Sequence, residues 1–192
     1  MVTVGGDPAA VEQRLVAGEL ACPGCSGVLA GWGYARLRSV RGPRAVVWVR
    51  PRRARCTGCG GTHVLLPVRL LLRRADTVAV IGRALSAKAA GLGHRRIAVV
   101  LGRAAETVRG WVRRFGGRVE PVRRVFTVVL RAVAVDAVMP APAGSVWADA
   151  VAAVAAAAMA AAGRFGMVTV PVWEWACAVS GGRLLAPGWP SG

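Results

Sequence analysis

Four of the five cysteines in this 192-residue chain fall into two pairs, Cys22-Pro23-Gly24-Cys25 and Cys56-Thr57-Gly58-Cys59. A CxxC knuckle containing glycine turns tightly enough for backbone amides to point at thiolate sulfurs, and two knuckles supply four soft ligands. The chemistry expected is tetrahedral Zn2+ held by Cys22, Cys25, Cys56 and Cys59. With no position left open, the ion would contribute folding energy and not catalysis. A redox pair needs only one CxxC, typically in a βαβ setting, and an iron–sulfur cluster is the other rival; the near-symmetric knuckles and the lack of αβ alternation favour zinc. His63 reads as a strand residue with a satisfied hydrogen bond and not as a fifth ligand. Cys177, far from the knuckles, reads as a small buried hydrophobe. There is no GxGxxG, P-loop, HExxH or carboxylate cluster, so no enzymatic activity is expected.

The elements that must bring the knuckles together lie between them. Val28 to Val40, with Trp32 and Tyr34, reads as a strand, Arg41-Gly42-Pro43 as a turn, and Ala45 to Val49 as a second strand; Thr62 to Leu66 supplies a third. This is the layout of a zinc ribbon, although the gap between knuckles is longer than the usual ~15 to 20 residues. Ahead of the second knuckle stand Arg50, Arg52, Arg53 and Arg55. Strand alternation puts some of them on one face, a suitable rail for phosphates, with Arg52, Arg53 and Arg55 as the candidates; a merely solvated strand is the plainer alternative.

Charge is concentrated in the same part of the chain. The formal net charge is +17, from 26 Lys plus Arg against 9 Asp plus Glu. Residues 22–75 hold eleven Arg and no acid, and residues 76–131 hold twelve bases against Asp76, Glu106 and Glu120, whereas both ends are near neutral. A GC-rich genome accounts for 25 Arg beside the single Lys88, but not for the missing acids. A polyanion is the expected partner. No uncharged stretch reaches the ~18 residues of a spanning helix, and the N-terminus lacks a basic region followed by an apolar run. The expected setting is therefore cytoplasmic and nucleoid-associated, where thiols stay reduced and no membrane is involved.

A helical block follows. Asp76 reads as an N-cap for a helix carrying Val78, Ile81, Leu85 and Ala89, ending at Gly91 or Gly93. A short helix runs from His94 through Ile97, Ala98 and Leu101 to Gly102, and a third covers Ala104 to Phe115 with Val108, Trp111, Val112 and Phe115 on one arc. Small Ala98 where helices cross and Gly102 at the turn match a helix-turn-helix. On the third helix Glu106, Gly110 and Arg113 fall opposite the core, flanked by Arg103, Arg109 and Arg114, with Thr107 near its start. These are the candidates for DNA contact, Arg reading guanine and Glu106 accepting from cytosine. Arg95 and Arg96, beside His94, open the second helix, where a phosphate can be held.

Cys-x-x-Cys, a hairpin, an Arg-rich strand into a second Cys-x-x-Cys, then His94-Arg95-Arg96-Ile97-Ala98, Leu101-Gly102-Arg103 and Thr107-Val108-Arg109-Gly110-Trp111 resemble the N-terminal DNA-binding part of zinc-ribbon insertion-sequence transposases, over roughly residues 20–118. The chain is also similar to a family of short, uncharacterised helix-turn-helix proteins from GC-rich bacteria, which share the Ser180-Gly181-Gly182-Arg183-Leu184-Leu185 tail. The first resemblance implies binding to the ends of a mobile element, with cutting done by a separate domain bearing three metal-binding carboxylates. After Glu120 this chain offers only Asp136, Asp149 and Glu174, and such a nuclease core needs far more than the ~70 residues that remain and a β-sheet to hold its acids together.

The C-terminal third opens with a linker at Pro140, Pro142 and Gly144. Ala148 to Ala162, with eleven Ala, should then form a helix smooth enough either to pair with a second copy as a homodimer or to pack within the chain, for example on Trp173 and Trp175. Residues 190–192 are expected to be disordered. The whole is read as α+β: an N-terminal helix in 1–21, a small β zinc ribbon in 22–72, a tri-helical helix-turn-helix DNA-binding domain in 73–131, and a linker with a mostly helical Ala-rich region in 132–192. The expected function is sequence-specific binding of double-stranded DNA, as a transposase-like module or transcriptional regulator without a nuclease. The alternative is an RNA-binding or protein-docking zinc ribbon on a helical scaffold.

Overall fold

A computed structural model describes residues 1–166 and 171–190. The chain is α+β, with a small mixed sheet in its first 70 residues and helices thereafter. Strand β1 (Val2–Val4) and helix α1 (Pro8–Val16) come first. Asp7 caps α1 by accepting from the Ala9 amide at 3.0 Å, and Pro8 fills the first turn, where its missing N–H costs nothing. Strands β2 (Leu29–Tyr34), β3 (Arg38–Arg41), β4 (Val46–Val49), β5 (Arg52–Cys56) and β6 (Thr62–Pro67) follow. The main sheet runs β1-β6-β5-β2, with β1 parallel to β6 and the other pairs antiparallel, while β3 and β4 form a separate hairpin.

Two features depart from the expected ribbon. The single strand read over Val28 to Val40 is broken in two at residues 35–37, β2 pairing with β5 and β3 with β4; within β2 the register also shifts between Gly31 and Tyr34, where Gly33 has a φ of +73°. The segment 1–21 is also more than a helix and is not a separate piece: β1 adds a strand to the sheet. Val4, Val11, Leu15 and Leu20 bury themselves against Leu29, Ala54, Leu65 and the two buried cysteines, Cys22 and Cys56.

Helices α2 (Val78–Ala89), α3 (His94–Leu101) and α4 (Ala105–Gly116) pack as three, around Val78, Ile81, Leu85, Ile97, Ala98, Val108, Trp111 and Phe115. Gly102 closes α3 in the left-handed region (φ +60°), which lets the chain reverse into α4 within three residues. Asp76 is not the N-cap expected of it; that position belongs to Thr77, whose hydroxyl caps nothing. The Val78 amide donates instead to the Arg69 carbonyl at 2.9 Å, so the helix start is satisfied by a neighbouring segment and the Asp76 carboxylate is available for another task.

Helix α5 (Val119–Val133) and helix α6 (Val146–Arg164) pack side by side, and Val122, Phe126 and Leu130 share a core with Ala150, Ala153, Val154 and Ala157. Ser145 caps α6 from its side chain to the Ala148 amide at 3.1 Å. Helix α6 has 19 residues and a mean hydropathy of 1.6, enough by length and composition to cross a membrane; its alanine face is packed against other helices of the chain. The smooth face that the sequence offered to a second copy is thus used internally. Trp147 fixes this pair to the three-helix unit: its ring centroid lies 5.0 Å from that of Phe115 and its Nε1–H donates to the Leu85 carbonyl.

Helix α7 (Val172–Val179) and the following turn bring the chain back to the core. Trp173 packs directly over Gly82 of α2, where no side chain would fit, and Leu184, Leu185 and Trp189 are buried in the helical core. The Gly182 carbonyl accepts from the Leu72 amide at 2.8 Å and Arg118 donates to the Ala186 carbonyl. Pro190, expected to be disordered, is half-buried, while 191 and 192 lie outside the described residues. Cys177 is buried and donates to the Leu70 carbonyl at 3.2 Å; burial first, then Glu174, pushes its thiol up to about 12, which makes it an inert donor.

Candidate metal centre and basic surface

The two knuckles face each other across the β2-β5 end of the sheet. The Sγ atoms of Cys22, Cys25, Cys56 and Cys59 all lie within 4.8 Å of one another, with Cys22–Cys59 at 3.9 Å and Cys25–Cys56 at 3.4 Å. A tetrahedral ion with metal–sulfur bonds near 2.3 Å needs sulfurs about 3.8 Å apart, a value that the separations in this cluster bracket. Backbone amides support them: Gly24 N–H points to Cys22 at 3.4 Å, and Gly58 and Cys59 N–H point to Cys56 at 3.3 and 3.5 Å. The Cys59 amide, ahead of the other donors, draws the Cys56 thiol down to about 6, which favours the thiolate that a metal requires. Gly27 packs closely on the Cys56 sulfur, which lies 3.0 Å from where a Cβ would stand, so a side chain here would have to displace the sulfur by a few tenths of an ångström.

His63 sits beside the cluster and not in it. Its Nε2 is 3.4 Å from the Cys22 sulfur and its Nδ1 is 3.2 Å from the Met1 ammonium. An ammonium can only donate, so Nδ1 accepts and Nε2–H is left to donate to the Cys22 sulfur. Burial, then the neighbouring N-terminal charge, lowers the His63 pKa and keeps the ring neutral. Its role is to orient and stabilise one thiolate.

The arginines named from the sequence divide into those that remain on the surface and those that the fold consumes. Arg52 belongs to the second group, which corrects its assignment to the phosphate rail. Its Nε and Nη2 take both Glu12 oxygens at 2.9 Å, its Nη1 donates to the Gly33 carbonyl, and the pair lowers the Glu12 pKa. Strand alternation explains the split: Arg52 faces α1, whereas Arg53 and Arg55, paired opposite Val64 and Thr62, face the other way. Arg55 is exposed, its guanidinium 5.0 Å from the Trp32 ring centre and its Nε donating to the Gly60 carbonyl. Arg53 is half-buried with no ion-pair partner among the described residues.

Arg103 is also consumed. Its Nε donates to Asp76 at 2.7 Å and its other nitrogens to the carbonyls of Leu101, Gly102 and Gly42. Arg41 approaches the same carboxylate at 2.7 Å, and Asp76 is 2 % exposed. This junction ties the β3-β4 hairpin, at Arg41 and Gly42, to the turn between α3 and α4. No composition count distinguishes an arginine spent this way from one facing solvent.

The outer face of α4 is as the sequence placed it. Glu106, Arg109 and Arg113 are exposed, opposite buried Val108, Trp111 and Phe115; Thr107 is half-buried. Arg109 makes only a loose 3.5 Å contact with Glu106. Arg113 has no ion-pair partner among the described residues. Arg114 is half-buried and donates to the Gly110 carbonyl at 3.0 Å. Arg95 and Arg96 are exposed on the first turn of α3, again without acidic partners among the described residues. Arg44, at the tip of the hairpin held by the Asp76 junction, is exposed and was not singled out from the sequence. Comparison with protein-family models, with curated proteins and with solved structures finds no match to this chain.

Proposed function

We propose that this protein binds double-stranded DNA sequence-specifically through α4, which enters the major groove as the second helix of a helix-turn-helix, while a zinc ribbon stapled by Cys22, Cys25, Cys56 and Cys59 lies along the flanking backbone. The observation that carries the reading is the two-sidedness of α4. One side is locked into a core with α2 and α3, and the other presents Arg109, Arg113 and Glu106 to solvent after a tight turn at Gly102. Arg109 and Arg113 offer bidentate donors for guanine. Arg95, Arg96, Arg53, Arg55 and Arg44 serve as phosphate contacts, and the Asp76 junction keeps the hairpin tip beside the start of the reading helix. The ion closes the four-thiolate set, where its chemistry is structural.

The reading makes the protein a regulator or a transposase-like DNA-binding module without strand-cutting chemistry. It is tested by selecting bound duplexes from a random pool with zinc-loaded protein at about 150 mM salt, where weak phosphate binding is already screened. An enriched motif that Arg109→Ala and Arg113→Ala blur at particular base pairs is the expected result. A pool that emerges without enrichment refutes the reading.

A further inference from the structure

Beside α1 and the β4-β5 corner lies a cleft of about 170 Å³ that neither the metal centre nor the α4 face uses. Its floor is apolar, from Val4, Val11, Val49 and Leu65. Trp48 stands in its wall 65 % exposed, a large cost in apolar surface for an indole, and no ring or guanidinium packs on it among the described residues. Tyr34 forms another wall, with the Arg50 and Arg52 guanidiniums 5.3 and 4.8 Å from its ring centre. Arg69 also lines the cleft, and its Nε is buried with no hydrogen-bond partner, a donor whose desolvation the fold leaves uncompensated. Glu12, the acid of the cleft, has both oxygens taken by Arg52, so it does not repel an anion. A bare indole, an apolar floor and donors for an anion describe a ligand that is both flat and phosphorylated.

We propose that this cleft binds an unpaired DNA nucleotide, its base seated on Trp48 and its phosphate on Arg50 and Arg69. In an intact duplex the base faces are covered by their neighbours, so only a base outside the stack can use the indole. The nucleotide comes either from a single strand or from a base extruded beside a bound duplex. The inference shares with the function proposed above only the choice of DNA, since the cleft is separate from the exposed face of α4.

The test measures anisotropy of three fluorescein-labelled probes on the full chain: oligothymidine, a duplex with one unpaired thymidine, and the same duplex fully paired. Trp48→Ala should weaken oligothymidine or the unpaired-thymidine duplex about 5- to 150-fold, the range of one base–aromatic stack, and leave the paired duplex unchanged. Which of the two probes responds identifies the source of the nucleotide. Trp48→Phe should restore most of the loss. Phe165→Ala, which removes an exposed ring outside the cleft and away from the arginines named above, should have no effect. Trp48→Ala binding every probe within two-fold of wild type overturns the proposal, as does equal loss on paired and unpaired probes or a loss of the same size from Phe165→Ala. If no duplex motif is ever selected yet the Trp48 dependence holds, the α4 reading fails and the cleft stands.

Discussion

Removing the Asp76 carboxylate should destabilise the protein far more than its position in a connecting segment suggests. Asp76 is 2 % exposed and accepts from Arg41 and Arg103, each at 2.7 Å. In Asp76→Ala the two cations fare differently. Arg41 is half exposed and can be rehydrated, whereas Arg103 is 15 % exposed and keeps only the carbonyls of Leu101, Gly102 and Gly42. Breaking a buried pair from one side costs about 3 to 5 kcal/mol, and rehydration of Arg41 puts this case near the lower end, about 3 kcal/mol. For a chain of this size that corresponds to a melting temperature lower by about 6 to 12 °C, read by calorimetry on the metal-loaded protein. Asp76→Ala with Arg103→Met removes the stranded charge as well, so the double variant should recover part of the loss, with a coupling of about 1 to 3 kcal/mol. A shift under about 2 °C for Asp76→Ala, or strictly additive single changes, would show that the junction is not a coupled ion pair.

Other outcomes follow from the same geometry. Cys25→Ser should lose stoichiometric zinc by elemental analysis and disorder residues 22–66 in amide spectra, while the helical ellipticity persists; unchanged metal content would sink the four-thiolate site. Arg109→Ala and Arg113→Ala should each cost ~1 to 3 kcal/mol at specific base pairs, whereas Arg95→Ala and Arg96→Ala should weaken all sequences alike and each lower the salt slope by about 1; the opposite assignment would mean that α4 does not read bases. Glu120, held by Arg123 and then by Arg124, has its pKa drawn down to about 2. Because the folded value is depressed, its ion pairs contribute above the ordinary 4.5 and are lost as pH falls towards 2, so a carboxyl NMR titration with a midpoint near 4.5 would contradict the contact.

What the sequence discloses and what it conceals separate by range. The knuckles and the helices α2 to α4 are visible because their signals recur within a few residues: CxxC, and apolar positions at i, i+3 and i+4. The same signal was present for α5, in Val122, Phe126 and Leu130 with Glu120 three and four residues before Arg123 and Arg124, and should have marked it as a helix. Asp76 departs from the N-cap its residue type suggests because a local capping preference worth about 1 kcal/mol yields to two guanidiniums brought in from Arg41 and Arg103. The consumption of Arg52 and Arg103 is hidden because charge counts do not record partners 40 and 27 residues away. The pairing of β1 with β6 rests on three residues each side, too short for any periodicity to announce it.

The position of the tail has a consequence for how the chain matures during synthesis. The first strand and the last turn meet: a Cβ on Gly182 would stand 3.2 Å from the Thr3 hydroxyl and 2.9 Å from the Leu66 side chain, while Leu184, Leu185 and Trp189 complete the helical core. The cysteine-bearing sheet has its own small core within residues 4–65, so it can close and bring its four thiols together while translation continues. The helices cannot do the same, because a nascent chain that ends before residue 184 carries α2 to α6 with their shared interior still open. Ribosomal stalling in that interval would therefore expose apolar helix faces beside an already folded, strongly basic head, and the yield of the protein in a cell should depend on how quickly Leu184, Leu185 and Trp189 follow.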